Sequence, residues 1–219
     1  MKLVNNLYFY SERGMLDCNT YVITGNPGII IDPGNPGYVV SLIGDMRRDG
    51  IEPESIGMII NTHLHIDHCS GNESFKKFSG AKIVLHRIQE QNYGNILNHD
   101  RTLGMEPEEF TADEIVDGDR LSLGGIDLEM IPAPGHSPEC VCFYEKANRW
   151  LLCGDVVFEM NTGRVDLPGG SAEELKQSIE NLAKLDIEYL LPGHMGPVAP
   201  KAKVEQNFDY IRKNVFQWL

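Results

Sequence analysis

The chemically most specific stretch of the chain is His63-Leu64-His65-Ile66-Asp67-His68, which puts three imidazoles and a carboxylate within six residues. On an extended loop, residues i and i+2 point the same way, so His63 and His65 can grip one ion. Asp67 and His68 follow as the chain bends and can face a second ion beside the first. Imidazole suits zinc, iron and manganese, and a carboxylate widens the range. The plain alternative is a polar loop with stacked histidines. It is disfavoured because such clustering costs packing and solvation for no gain.

Three later positions share one design. His136 lies in Pro132-Ala133-Pro134-Gly135-His136-Ser137, Asp155 in Cys153-Gly154-Asp155, and His194 in Pro192-Gly193-His194. Each comes just past a predicted strand, with a glycine immediately before it that lets the backbone turn tightly. His86 and His99 lack this context and read as surface or lid residues. Other chemistries find no footing: there is no Gly-x-Ser-x-Gly elbow, no phosphate loop and no Cys-x-x-Cys. Cys140 and Cys142 alternate on a predicted strand and read as packed side chains. Cys69 and Cys153 adjoin candidate ligands, where packing is again the default.

The elements that must position these residues come in two groups. Strands are predicted over Leu3–Tyr10, Thr20–Gly25 and Gly28–Asp32, with Asn26-Pro27 as a turn, followed by a helix from Tyr38 to Arg48 with Val39, Leu42, Ile43 and Met46 on one face. The apolar run Gly57–Asn61 is a buried strand, so the histidine motif leaves a strand end. A helix over Asn72–Phe78, a strand over Ala81–Leu85 and a helix over Arg87–Leu97 come next. The polar segment continuing to Asp113 reads as irregular. Hairpins are predicted for Leu121–Leu123 with Ile126–Ile131 and for Val141–Tyr144 with Trp150–Cys153. Ser171 caps a helix to Leu185, with Glu173 and Glu174 in its first turn. A strand over Glu188–Leu191 and a helix over Lys203–Val215 end the chain. Strands in two clusters, each followed by helices, predict two packed sheets covered by helices outside.

At 219 residues and 42% apolar content the chain can bury one sizeable core, and we expect a single domain over 1–219. A formal charge of −13 argues against nucleic acid as the partner. No stretch is long and apolar enough to span a bilayer, and the N-terminus carries no apolar signal region. Five cysteines, an odd count without framework spacing, suggest a reducing compartment. The expectation is a cytoplasmic protein acting on a small molecule, with neither nucleic acid nor membrane as partner and an open oligomeric state.

Taken together, Asp32-Pro33-Gly34, His63–His68, Gly135-His136-Ser137, Gly154-Asp155 and Pro192-Gly193-His194 resemble, in order, the motifs of the metallo-β-lactamase superfamily. The resemblance covers essentially the whole chain. It implies a four-layer αββα sandwich of class α+β, two mixed sheets with helices on the outer faces. It also implies one metal held by His63, His65 and His136, a second held by Asp67, His68 and His194, and Asp155 bridging them. Asp32 would be a buried structural acid near the site. The ions would be divalent, zinc first, with iron or manganese as alternatives. Asp67 would also orient the attacking hydroxide shared by the two ions.

Within the superfamily the chain is most similar to glyoxalase II-like hydrolases, through Gly154-Asp155-Val156-Val157-Phe158 and the run Gly163-Arg164-Val165-Asp166-Leu167-Pro168-Gly169-Gly170. That likeness implies thioester hydrolysis. Arg164 and Asp166 are expected to pair with each other whether or not Arg164 meets substrate. Position 139 is glutamate where many relatives have glycine. The chain ends at Leu219 without the helical C-terminal domain that grips glutathione in full-length glyoxalase II, which argues against glutathione specificity. The segment between His68 and His136 is long, and its polar part is the kind that forms a substrate lid, with Tyr93, His99 and Arg101 as candidates to face substrate. Two other activities carry similar motifs. A mononuclear iron persulfide dioxygenase would use His63, His136 and Asp155, and a lactone or β-lactam hydrolase would use the dinuclear set. A flavodiiron-type oxygen reductase would carry glutamate at the position of His65. A nuclease would be less acidic and would carry an inserted nucleic-acid-binding domain.

Overall fold

The structure, a computed structural model, describes residues 1–102 and 104–219. They fall into two compact units, Met1–Asp127 and Leu128–Leu219.

The first unit is built on a seven-stranded sheet whose strands lie in chain order. Strands β1 (Lys2–Val4), β2 (Leu7–Tyr10), β3 (Thr20–Ile23) and β4 (Gly28–Ile31) pair antiparallel; β5 (Ile56–Ile60), β6 (Lys82–His86) and β7 (Glu114–Val116) join in parallel. Its helices are α1 (Val39–Arg48), the single turn α2 (Ile66–Cys69), α3 (Asn72–Ser79) and α4 (Arg87–Thr102). Helix α1 buries Val39, Leu42, Ile43 and Met46, the i, i+3, i+4, i+7 stripe expected of it. That stripe shares a core with Val22, Ile30 and Ile59 of the sheet, Phe75 of α3 and Ile96 of α4. Each such side chain, fully buried, contributes about 1.5–3 kcal/mol.

Three details differ from the expected elements. The strand read over Leu3–Tyr10 is broken into β1 and β2 at Asn5, whose φ of 46° is a left-handed turn conformation that asparagine tolerates. Helix α4 runs on to Thr102 rather than stopping near Leu97. Strand β7 adds an edge to the sheet just after the segment read as irregular.

In the second unit β9 (Ile126–Pro132), which crosses the boundary between the units, pairs antiparallel with β10 (Val141–Glu145), and β10 pairs with β11 (Trp150–Gly154). Strand β14 (Tyr189–Pro192) then pairs with β11 in parallel. With β8 (Arg120–Leu123), the other arm of the hairpin predicted at Gly124-Gly125, the sheet order is β14-β11-β10-β9-β8. A small separate hairpin, β12 (Val157–Phe158) with β13 (Asn161–Thr162), follows β11. Helix α5 (Ala172–Leu182) begins where Ser171 was expected to cap it: the Ser171 hydroxyl accepts from Glu174 N at 3.3 Å. Helix α6 (Lys201–Asn214) ends the regular structure. Leu175, Ile179 and Leu182 of α5 and Val204, Phe208 and Ile211 of α6 share a core with Leu151 and Leu190. Mixed sheets with helices make the class α+β, as expected. Among the described residues no helix is long and apolar enough to cross a membrane.

Candidate metal centre

The first unit brings His63, His65, Asp67 and His68 into one cluster. The ring centroids of His63 and His65 lie 4.7 Å apart at 86°, and those of His63 and His68 4.0 Å apart. His68 Nε2 is 3.7 Å from Asp67 Oδ2. His63 and His68 are fully buried, whereas Asp67 keeps about a fifth of its side chain exposed. The motif follows β5, and His65, in extended conformation, precedes α2, so Asp67 and His68 sit on a helical turn rather than a simple bend.

Asp32 holds this cluster from behind. Its Oδ1 accepts from Thr62 N (2.8 Å), and its Oδ2 accepts from the Thr62 hydroxyl (2.7 Å) and from His68 Nδ1 (3.0 Å). A carboxylate only accepts, so His68 carries its proton on Nδ1 and its lone pair on Nε2. Thr62 Oγ1, having donated to Asp32, accepts from His63 Nδ1 at 3.2 Å and fixes the same tautomer there. Asp32 has φ +52°, and the Asp32-Pro33-Gly34 segment is locked to α2 by Gly34 N donating to His68 O (3.2 Å). An amide network extends the support. Asn61 and Asn72 bond each other, Asn61 also donates to His68 O (3.2 Å), and the Gln89 side chain donates to Asn61 O (2.7 Å). The sequence offered no signal for Asn61, Asn72 or Gln89, because a buried amide and a surface amide look alike in one sequence.

The second unit brings His136, Asp155 and His194 together. Asp155 Oδ2 lies 3.7 Å from His136 Nε2 and 3.5 Å from His194 Nε2. Donor atoms around a tetrahedral ion with bonds near 2.1 Å sit about 3.4 Å apart, so this spacing suits metal ligands. His136 Nδ1 donates to the Arg164 carbonyl at 2.8 Å, which again leaves the lone pair on Nε2. Two of the three glycines that precede these ligands have positive φ. Gly154 has φ +49°, and Gly135, at +135°, lies so close to α5 that a Cβ there would be 2.2 Å from Leu175 N. Gly193 N donates to Gly154 O at 2.8 Å and ties the last two ligand loops to each other. Carboxylate beside imidazole, with His63, His68 and His136 buried and oriented from behind through Nδ1, fits the ligands of a transition metal.

The residues expected to meet substrate have these places. Tyr93 packs its ring on Phe110 (centroids 4.6 Å apart) and its hydroxyl accepts from Phe110 N, while burial pushes its phenol up to about 12. His99 and Arg101 lie in the last turn of α4; His99 Nδ1 is 3.7 Å from Asp100 and Arg101 is paired with Glu109. Arg164 makes the expected pair with Asp166, two hydrogen bonds of 2.6 Å on the surface. Glu139 is wholly buried and accepts from the Ser137 hydroxyl. All five cysteines are buried. Burial pushes the Cys69 thiol well above its ordinary range and the Cys153 thiol up to about 12, so both are packed, protonated groups.

Residues 13–194 match the family model described as the Metallo-beta-lactamase superfamily. A protein of Methanocaldococcus jannaschii named "Probable metallo-hydrolase" is 31% identical over 204 residues, spanning 89% of this chain and 92% of that one. A "Glyoxylase B2" of Dictyostelium discoideum is 32% identical over 150 residues, 66% of this chain and half of the relative's length. Among solved structures, the B3 metallo-β-lactamase BLEG-1 superposes with a TM-score of 0.77 at 24% identity, over 92% of this chain and 97% of that one. TTHA1623 in a di-iron-bound form gives 0.73 at 24% identity, over 90% and 96%. The chain therefore belongs to the metallo-β-lactamase superfamily, a superfamily of metallo-hydrolases, and has its fold. The name of the Dictyostelium relative is consistent with the glyoxalase II-like likeness read in the sequence.

Proposed function

We propose that the protein hydrolyses a thioester at a centre of two divalent cations, zinc in the first instance. On this reading His63, His65 and His136 would hold one ion and Asp67, His68 and His194 the other, with Asp155 serving both. The observation that carries this reading is the setting of Asp155: one oxygen, Oδ2, stands 3.7 and 3.5 Å from the Nε2 atoms of His136 and His194, which the reading assigns to different ions. The di-iron form of a protein with the same fold supports a two-metal centre and keeps iron a candidate.

When bound, such cations supply Lewis acidity and let a water lose its proton near neutral pH. The protein's own groups do the positioning. Asp67 accepts a hydrogen bond from the attacking water and turns it toward the acyl carbon. Asp32, Thr62 and the Arg164 carbonyl keep the protons of His68, His63 and His136 on Nδ1. The buried donors, His63, His68 and His136 among them, keep bulk water from competing.

The thioester is favoured by the run from Gly154 to Gly170 and by the softness of a thiolate leaving group toward a zinc-like ion. A small molecule as substrate, with neither nucleic acid nor membrane as partner, accords with the charge of −13. A cytoplasmic location is part of the same reading. The test is a panel of acyl-thioesters, lactones and a β-lactam, each with and without chelator. The reading expects chelator-sensitive thioester turnover above the other two classes. A preference for lactone or β-lactam would overturn the substrate class, and oxygen uptake with a persulfide would overturn the reaction class.

A further inference from the structure

Asn207, near the middle of α6, is 4% exposed on a helix where Gln206 and Asp209 face solvent. Its carboxamide grips one turn at two points. Oδ1 accepts from Met160 N at 2.6 Å, and Nδ2 donates to Phe158 O at 2.9 Å. That turn closes the β12–β13 hairpin, and Met160 in it has φ +57°, a left-handed conformation that a side chain such as methionine disfavours. A side-chain bond to its N–H helps to hold it there.

The hairpin borders all three metal-ligand candidates of its unit. Asp155 lies two residues before β12. The Phe158 ring stands edge-on to His194, with centroids 6.0 Å apart. Gly163 and Arg164 follow β13 directly, and the Arg164 carbonyl accepts from His136 Nδ1. Gly163 passes so close that a Cβ there would be 1.9 Å from Asp155 O and 2.9 Å from His136 Nδ1. The peptide leaving the hairpin is thus packed directly on two ligands.

We infer that Asn207 is a positioning residue of the metal centre, fixing His136, Asp155 and His194 through the Val157–Thr162 hairpin. The inference rests on the metal-centre reading above. Only an uncharged amide of this length supplies both the acceptor and the donor. Alanine removes both, and aspartate keeps the acceptor but sets a carboxylate against the Phe158 carbonyl.

The test compares the unaltered protein, Asn207→Ala, Asn207→Asp and Val204→Ala. The last removes core packing from the same helix, in the cluster that also holds Val157, but leaves both hydrogen bonds from Asn207 to the hairpin in place. Cobalt(II) is bound in place of the native metal, and its visible bands and its affinity are read by competition with a chelator. Groups that orient metal ligands are worth roughly 10–100-fold in affinity. Asn207→Ala is expected to weaken cobalt binding about tenfold and to shift its bands, Asn207→Asp to do so to a similar degree, and Val204→Ala to lower the Tm while leaving affinity and bands unchanged. Affinity for Asn207→Ala within about twofold of the unaltered protein, with superimposable bands, would overturn the inference. So would equal weakening by Val204→Ala, which would reduce Asn207 to a packing role. Failure of the unaltered protein to bind cobalt would overturn the metal-centre reading itself, and this inference with it.

Discussion

The Asp32 carboxylate accepts a hydrogen bond from His68 Nδ1–H at 3.0 Å, with both side chains buried. A residue 36 positions upstream thereby decides which nitrogen of His68 can serve as a ligand. Asp32→Asn can present an amide N–H to Nδ1 and reverse the tautomer. We expect Asp32→Asn to weaken metal binding by about 10–100-fold while the chain remains folded. Chelator competition with circular dichroism on the same sample checks this. Unchanged affinity would make Asp32 a purely structural acid.

Gln89 joins α4 to the residue that follows β5, donating to Asn61 O at 2.7 Å, and also accepts from His86 N at the end of β6 at 3.0 Å. It is 1% exposed, so Gln89→Ala strands two backbone groups. The expected loss is about 1–3 kcal/mol, read as a lower midpoint in urea at constant slope. A variant as stable as the parent would mean that water replaces the side chain.

The pair between Arg164 and Asp166 titrates outside the range of catalysis. The hydrogen-bonded Arg164 guanidinium lowers the Asp166 carboxyl to about 2, from an ordinary 3.8. A depressed acid stabilises the fold above its unfolded value and loses that contribution as pH falls through the folded one, here from about pH 4 to about pH 2. Because the pair is exposed, its share of stability is small. Carboxyl-resolved NMR should find Asp166 near 2 in the parent and near its ordinary value in Arg164→Ala. No pH dependence of turnover between pH 5 and 9 should trace to Asp166. An Asp166 that titrates alike in both proteins would show that the pair does not persist in solution.

How much of this was legible in the sequence follows from what each feature requires. The candidate ligand motifs stand out because a metal would need particular residue types at loop positions just past strands, and His63–His68, Gly135-His136, Gly154-Asp155 and Gly193-His194 offer both. Helix α1 was readable because its apolar face repeats with the helical period. The β12–β13 hairpin was not, since strands of two residues display no alternation. The end of α4 was not, since its polar last turns resemble a loop. The supporting amides Asn61, Asn72, Gln89 and Asn207 act largely through contacts 11 to 49 residues away in sequence, which no local pattern encodes.

The central claim is a hydrolytic centre of two metal ions, and it is tested most directly by metal content measured together with turnover. Protein purified without added metal is analysed for zinc, iron and manganese per chain, and its thioester hydrolysis is then followed with and without oxygen during stepwise restoration of the stripped protein. The account predicts activity that saturates at two ions per chain and is indifferent to oxygen. Saturation at a single iron per chain, with turnover that stops in the absence of oxygen, would contradict it.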